Sequence, residues 1–438
     1  MRLGRVAWPS GVIVRAGGNH DEAPAHGYTG SDYEGARFSY LSANVIYDED
    51  GLPVFPSYTV RRFGNARVAF IGMTLEGTPN VVTAEGVEGL TFLDEAETAN
   101  ALVPEIKALG IETIVVLIHE GGAATGLYNR CDGISGRIFD VVKNFDPEID
   151  VVVSGHTNAA HICNIDGRLV TSAAHNGRLV SAIDLIIDEK TGDVTKMSAE
   201  NVVVTRDVAK DPAQTDLIAK WKALIAPIAN RVAATIAADL KRALPTEFES
   251  PLGNLIADAQ LAAMAAQGAE VAFMNPGGIR TDLVFTQVSG GEKAGEVTYA
   301  ELFAVQPFSN NLVMFEVTGA QLLQALEEQW YDFGGNKPRV APAVLAVSST
   351  LSYAFVASDA TGHRVDAASV KIGGQPLELG KTYRVTANVF LAGGGDSFPS
   401  FKLGTNRVSG PFDLEALEAW MKSHPAAPAP ALGRLVAR

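Results

Sequence analysis

Two stretches decide the fold: "TIVVLIHEGG" (Thr113–Gly122) and "IDVVVSGHTN" (Ile149–Asn158). Each is a short apolar run, rich in β-branched residues, that breaks into glycine and histidine. Runs of this length are buried strands rather than membrane spans. Helical patterns surround them. Asp94 with Glu97 three residues on is an acidic variant of the capping box ahead of Ala96 to Leu109, and Gly110 supplies the stop. Ser135 is expected to cap "GRIFDVVKNF" between the two strands. Helices alternating with apolar strands indicate βαβ units and a largely parallel sheet. His119 and His156 then fall just past neighbouring strand C-termini, where open α/β sheets hold their ligands. A lone histidine after a strand is commonly a hydrogen-bonded loop residue. Two in one sheet, each beside glycine and with the Asn158 amide close by, form a candidate site for a divalent metal. His161 and His175 read as surface or supporting residues.

The chain has 438 residues, 47% of them hydrophobic, which is material for two domains and two cores. A formal net charge of −15 argues against a general grip on nucleic acid polymers, so an anionic ligand requires a local basic pocket. No apolar stretch is long enough for a transmembrane segment. The first residues, "MRLGRVAWPSGVIV", lack a signal-peptide core of the usual length, and a cytoplasmic location is the face-value expectation. Two cysteines, Cys131 and Cys163, are compatible with ordinary buried thiols. The pairing we expect is a disulfide linking the loop after His119 to the strand after His156, which points to an oxidising compartment.

From residue 206 to 241 the composition shifts to a linker helix. Asp211 and Pro212 are good N-cap and first-turn residues, and Leu217, Ile218, Trp221, Leu224, Ile225 and Ile228 recur at helical spacing. Beyond it, Ser250 and Pro251 open a helix, Thr298 with Glu301 forms a capping box, Thr318 caps another helix, and "YRVTANVFLAGGGDSF" reads as a strand running into a glycine-rich loop. This is an α+β domain. Within it "NPGGIR" brings Asn275 and Arg280 around a tight turn, and arginine's planar fork suits phosphate. Phe308 and Phe390 each precede polar loops and offer aromatic faces for a base. Asp396, after three glycines, is a candidate acceptor for ribose hydroxyls. Core packing, a surface ion pair and a simple turn are the ordinary alternatives for these residues.

The quoted segments "ESPLGNLIADA", "FMNPGGIRTDL", "VTYAELFAVQPFSNNLVMFEVTGAQL" and "ANVFLAGGGDSF" resemble, in order, the signatures of the C-terminal domain of the 5′-nucleotidase family. "VVLIHEGG" and "DVVVSGHTN" resemble the later motifs of that family's N-terminal calcineurin-like metallophosphatase domain. The resemblance runs from about Leu41 to the end. It implies an α/β metallophosphatase-like sheet domain over 1–205 with its first strands missing, the linker helix, and an α+β C-terminal substrate-binding domain over 242–438. It further implies hydrolysis of nucleotides or related phosphate esters with two divalent metal ions (Zn, Mn, Mg or Ca), a small nucleotide or nucleoside as ligand, and a secreted, periplasmic or cell-surface location. His119 and His156 would be ligands of one metal and Asn158 of the other. Asn275 and Arg280 would contact substrate, Phe308 and Phe390 would stack on the base, and Asp396 would bind the ribose. One departure stands out: the arginine that the family often carries shortly before its "LGN" helix is absent from "PTEFESPLGN".

A second departure concerns "RAGGNHDEAP" (Arg15–Pro24). The family's earlier Asp-x-His and Gly-Asp motifs do not precede it, and the position of the family's following aspartate is Ala23. Read as the family's Gly-Asn-His motif, it makes Asn19 a metal ligand and His20 a catalytic residue. Read as a glycine-rich loop preceding "YLSANV", it makes the letters coincidental, and the Gly- and Pro-rich continuation favours this second reading. The metal centre would then be incomplete, and a catalytically dead nucleoside-binding protein is the alternative function.

Overall fold

The computed structural model describes residues 40–80, 82, 84–244, 247–330, 342–360, 362–426 and 428–438. The chain divides after Ala209 into two compact units.

The first unit is built on a six-stranded sheet. Its strands are β1 (Tyr58–Phe63), β2 (Ala66–Met73), β3 (Thr113–Ile118), β4 (Val151–Val153), β5 (Ala160–Ile165) and β6 (Arg168–Ala173). The order is β1-β2-β3-β4-β6-β5. The four central strands run parallel and the two edges are antiparallel hairpin partners. Valine and isoleucine fill the parallel strands because both faces are covered. Ile71, Ile114, Val116 and Val152 pack with the helices α1 (Glu95–Ala108) and α2 (Arg137–Lys143), while Val68, Phe70, Val115 and Val151 join a hairpin of Leu179–Ile187 and Val194–Val203. Asp94 caps α1 as expected, accepting from the Glu97 amide at 2.9 Å.

The cap of α2 differs from expectation. Gly136, at φ 101°, stands there instead of Ser135 and gives no side-chain cap. A Cβ at Gly136 would come within 2.9 Å of the Gly122 Cα, so the close passage of two loops outranks capping at this point. The loop between them is tied down twice. Cys131 and Cys163 form the expected disulfide, with Cα atoms 5.0 Å apart. Asn201 receives the same loop, accepting and donating through the Asn129 side chain and the Tyr128 carbonyl.

In the second unit, α3 (Pro212–Ala229) starts at Asp211 as the sequence indicates, and none of its residues is buried. Ser250 caps α4 (Pro251–Ala263). Capping boxes at Thr298 and Thr318 open α5 (Tyr299–Val305) and α6 (Gly319–Glu327). A five-stranded sheet has Thr382–Asn388 at its centre, with Val271–Met274 parallel on one side and Asn311–Thr318 antiparallel on the other. Alternation along Val271–Met274 sends Phe273 into a core with Phe315, Leu322 and Leu326, and Met274 into another with Leu252, Ile256 and Leu302.

Strand Leu435–Ala437 closes a second sheet beside Leu351–Phe355. Its approach is fixed by charge. Glu249 accepts from the backbone amides of Gly433 and Arg434 at 2.8 and 3.1 Å, and Arg434 forks onto Asp258 of α4 at 3.0 and 2.7 Å. Arg434 also donates to the Val347 carbonyl at 2.6 Å. The Arg434 and Asp258 side chains are only 12% and 18% exposed. Replacing Arg434 by alanine strands Asp258 in a poorly hydrated place, a loss on the order of 3–5 kcal/mol. Urea unfolding of Arg434→Ala is expected to show that drop, and a midpoint equal to wild type would refute the clamp.

Candidate active site and nucleoside-contact loops

The candidate metal site of the first unit arises where β3 and β4 end. The His119 amide donates to the Met73 carbonyl at 3.1 Å, which continues the parallel ladder by one residue and sets the ring at the sheet's edge. After β4 the chain turns sharply: His156 and Asn158 both hold positive φ, 59° and 58°. Such a conformation costs an ordinary residue of order 1–3 kcal/mol and persists only where the surroundings impose it. The surroundings are backbone. The Gly155 amide donates to the Glu120 carbonyl at 3.0 Å and Thr157 Oγ1 donates to the Gly122 carbonyl at 2.7 Å. A Cβ on Gly121 would overlap the Gly155 carbonyl oxygen and lie 2.6 Å from Thr157 Oγ1.

The result is a pair of imidazoles meeting edge to face, with His119 Nε2 and His156 Nδ1 3.3 Å apart. Burial, reinforced by the neighbouring His156, lowers the His119 pKa to about 4, and burial of the ring lowers that of His156 as well although the residue as a whole is exposed. Both rings are therefore neutral near pH 7, the form in which imidazole binds metals. Two nitrogens on one tetrahedral ion at ~2.0–2.1 Å would stand about 3.3 Å apart, so the pair fits a divalent transition metal. Asn158 is exposed, and among the described residues no hydrogen bond joins it to the pair. No third His, Cys, Asp or Glu of the described residues joins them either. His119 Nδ1 is buried without a hydrogen-bond partner among these residues. Asn19 and His20 lie outside the described residues.

Two features escaped the sequence. His161, expected at the surface or in support, is fully buried behind the turn, 3.5 Å from Ser154 Oγ. Glu76, Asp94 and Glu95 converge closely enough to hold a cation, and the guanidinium of Arg137 already occupies that role, 2.6, 3.3 and 3.5 Å from their oxygens. His175 is partly exposed.

The nucleoside candidates lie in the second unit. Strand Thr382–Asn388 does not run into a loop as expected. It ends in α7 (Val389–Ala392), a single helical turn capped by Asn388, and this turn carries Phe390. The Phe390 ring lies on Gly395, where a Cβ would come within 2.5 Å of Cζ. Asp396 follows at φ 53°, and its carboxylate accepts from Asn275 Nδ2 at 2.7 Å. Arg280, exposed, donates to the Gly277 carbonyl at 3.1 Å and stands 5.8 Å from the Phe308 ring. Phe308 is 55% exposed, unusual for so large an apolar ring. Arg242, which the sequence reading passed over, donates to the Arg280 carbonyl at 2.9 Å.

Residues 231–403 match the model of the 5′-nucleotidase C-terminal domain. The structure is similar to that of a 5′-nucleotidase precursor from Thermus thermophilus, at 29% identity and a TM-score of 0.74, covering 92% of this chain and 79% of that one. Residues 231–403 are a 5′-nucleotidase C-terminal domain. The fold is accordingly that of a 5′-nucleotidase, an α/β sheet unit followed by the α+β C-terminal domain. The chain is 24% identical to the 5′-nucleotidase of Vibrio vulnificus strain CMCP6 over 94% of its own length and 77% of that protein. It is 30% identical to Endonuclease YhcR of Bacillus subtilis strain 168 over 93% of its own length and 31% of that protein. The chain spans between 26% and 48% of the length of the first three curated relatives it matches.

The contact at Gly121 generates a test. Gly121→Ala forces the His119 and His156 loops apart, and the overpacking is expected to cost ~1–3 kcal/mol. Metal titration should show at least a tenfold weaker affinity with the fold retained by circular dichroism. Unchanged affinity would detach the histidine pair from metal binding.

Proposed function

We propose that this chain hydrolyses the phosphate of nucleotides or related phosphate esters, with residues 1–205 as the metal-dependent part, 206–241 as a linker and 242–438 as the substrate-binding part. The observation that carries the reading is the neutral His119–His156 pair at the ends of adjacent parallel strands, 3.3 Å apart. In this reading His119 and His156 hold one divalent cation and Asn158, with Asn19 if "GGNHD" is a metal loop, contributes to another. His20 would then be the catalytic residue. Bound divalent cations supply Lewis acidity for the phosphate oxygens. The protein's own groups do the recognition. Arg280 offers forked donors to phosphate, with Arg242 adding positive charge beside it. Phe308 and Phe390 present faces to the base. Asp396, held by Asn275, accepts from ribose hydroxyls.

The disulfide supports a secreted, periplasmic or cell-surface location, since thiols stay reduced in most cytosols. The net charge of −15 favours a small nucleotide over a nucleic acid polymer. A second reading, a nucleoside-binding protein with a dead metal centre, is favoured by the absence of a third His, Cys or carboxylate ligand at the histidine pair among the described residues.

Phosphate release from AMP by the purified chain, with Mn²⁺ or Zn²⁺ and again after chelation, separates the two. Metal-dependent release is expected, and His119→Ala should abolish it. No release from any nucleotide, with nucleoside binding that survives chelation, would leave the binder. The pocket has its own signature. Phe390→Ala should weaken adenosine and AMP alike by ~1–3 kcal/mol, the usual loss of one stacked base, whereas Arg280→Ala should weaken AMP alone. Equal losses of both ligands in both variants would mean that these residues serve the fold.

A further inference from the structure

The most specific unexplained arrangement in the second unit is a chain of three amide and carboxylate side chains crossing from the end of one strand to the end of another. Asn388 is 1% exposed and Asn275 3% exposed, yet both are fully engaged. The Leu391 amide donates to Asn388 Oδ1 at 2.8 Å, Asn388 Nδ2 donates to Asn275 Oδ1 at 2.9 Å, and Asn275 Nδ2 donates to Asp396 at 2.7 Å.

An asparagine side chain has one accepting and one donating end, and here the direction of each is forced. A backbone amide only donates, so it holds the oxygen of Asn388 toward α7 and leaves the nitrogen for Asn275. An ionised carboxylate only accepts, so it holds the nitrogen of Asn275 toward Asp396. No amide can turn over without setting two acceptors against each other, and buried mismatches of that kind are costly. Asn388 also caps the turn that bears Phe390, while Asp396 sits in a left-handed conformation right after Gly395, on which the Phe390 ring rests.

From this geometry we infer that Asn388 is a positioning residue for sugar recognition: it sets the direction of the Asn275 amide and thereby aims the Asp396 carboxylate, while its cap fixes Phe390 on the same frame. The inference rests on the nucleoside reading of the second unit. It assigns to Asn388 a part in distinguishing ligands that carry vicinal ribose hydroxyls from those that carry the base alone. Asn388 itself touches no ligand. It acts through Asn275, and the two roles of its side chain are separable because they use different atoms.

Asn388→Asp separates them. A carboxylate at this position still accepts from the Leu391 amide, so the cap and the Phe390 turn persist. It has no hydrogen to give Asn275. The Asn275 amide is then expected to turn its nitrogen toward the introduced carboxylate and its oxygen toward Asp396, which drives the Asp396 carboxylate off its aim. Asn388→Ser provides a second route: serine is a good cap but too short to reach Asn275.

The test titrates adenosine and 2′,3′-dideoxyadenosine against the full wild-type chain and both variants, with melting curves for each. Wild type is expected to prefer adenosine at least tenfold. Both variants should bind dideoxyadenosine within about twofold of wild type and lose most of the preference for adenosine. A merely structural role for Asn388 would lower the two affinities together. Variants that fold and keep the wild-type preference, or that lose both ligands in parallel, overturn the inference and leave the nucleoside reading standing. A wild-type chain that binds neither ligand overturns the nucleoside reading, and the role of Asn388 with it.

Discussion

The first unit depends on one backbone contact. Gly121 and Gly155 come together with no room for a side chain, and the amide of Gly155 is bonded to the carbonyl of Glu120. Parallel strands bring their ends within about one strand spacing, ~4.8 Å, and the loops must then fold so that both imidazoles aim at one point. The glycine contact supplies that fold, and the left-handed residues His156 and Asn158 are its local cost. Everything around the contact restrains it: the Thr157 hydroxyl on Gly122, the start of α2 against Gly122, and the disulfide and Asn201 bonds that hold the loop between.

The second unit solves a related problem without a metal. A strand end, a one-turn helix and a glycine run present an aromatic ring and a carboxylate on adjoining surfaces. The ring is fixed by contact with Gly395, the carboxylate by a directional series of amides. Both units therefore place their candidate chemistry at strand termini and fix it through glycines. Glycine admits the close approach and the neighbouring polar groups give it a unique orientation.

What the sequence disclosed follows the range of the interactions. Caps at Asp94, Asp211, Ser250, Thr298 and Thr318 are legible because donor and acceptor are three residues apart. The parallel sheet is legible because burial on both faces leaves continuous apolar runs. The cap expected at Ser135 failed because Gly136 answers to Gly122, fourteen positions away in the chain and in contact only after folding. Asn388 was invisible for the same reason: its partner Asn275 is 113 residues away. His161 looked like a supporting residue near the surface, and only the strand register reveals that its side chain points into the protein. Of the candidate site, the two strand-end histidines and the residues Asn275, Phe390 and Asp396 could be picked as candidates by type and spacing, although Phe390 sits on a helical turn and not on the expected loop. Which groups orient them could not, because that information lies in tertiary contacts.

The clamp between Glu249 and the segment from Gly433 to Leu435 carries a consequence for the order of events at the ribosome. Glu249 precedes the helix that anchors one face of the second unit, yet its carboxylate waits for partners 184 residues further along. At roughly 5–20 residues per second, that wait lasts about 10–40 s. Through that interval Glu249 can be met locally by Asn254 Nδ2, while Asp258 lacks its guanidinium and strand Leu351–Phe355 lacks the neighbour that later covers it. The second unit is thus a structure that locks late, from its far end. During synthesis, its vulnerable state is the chain before residues 433–437 have emerged, and a helper that shields an open sheet edge would act there.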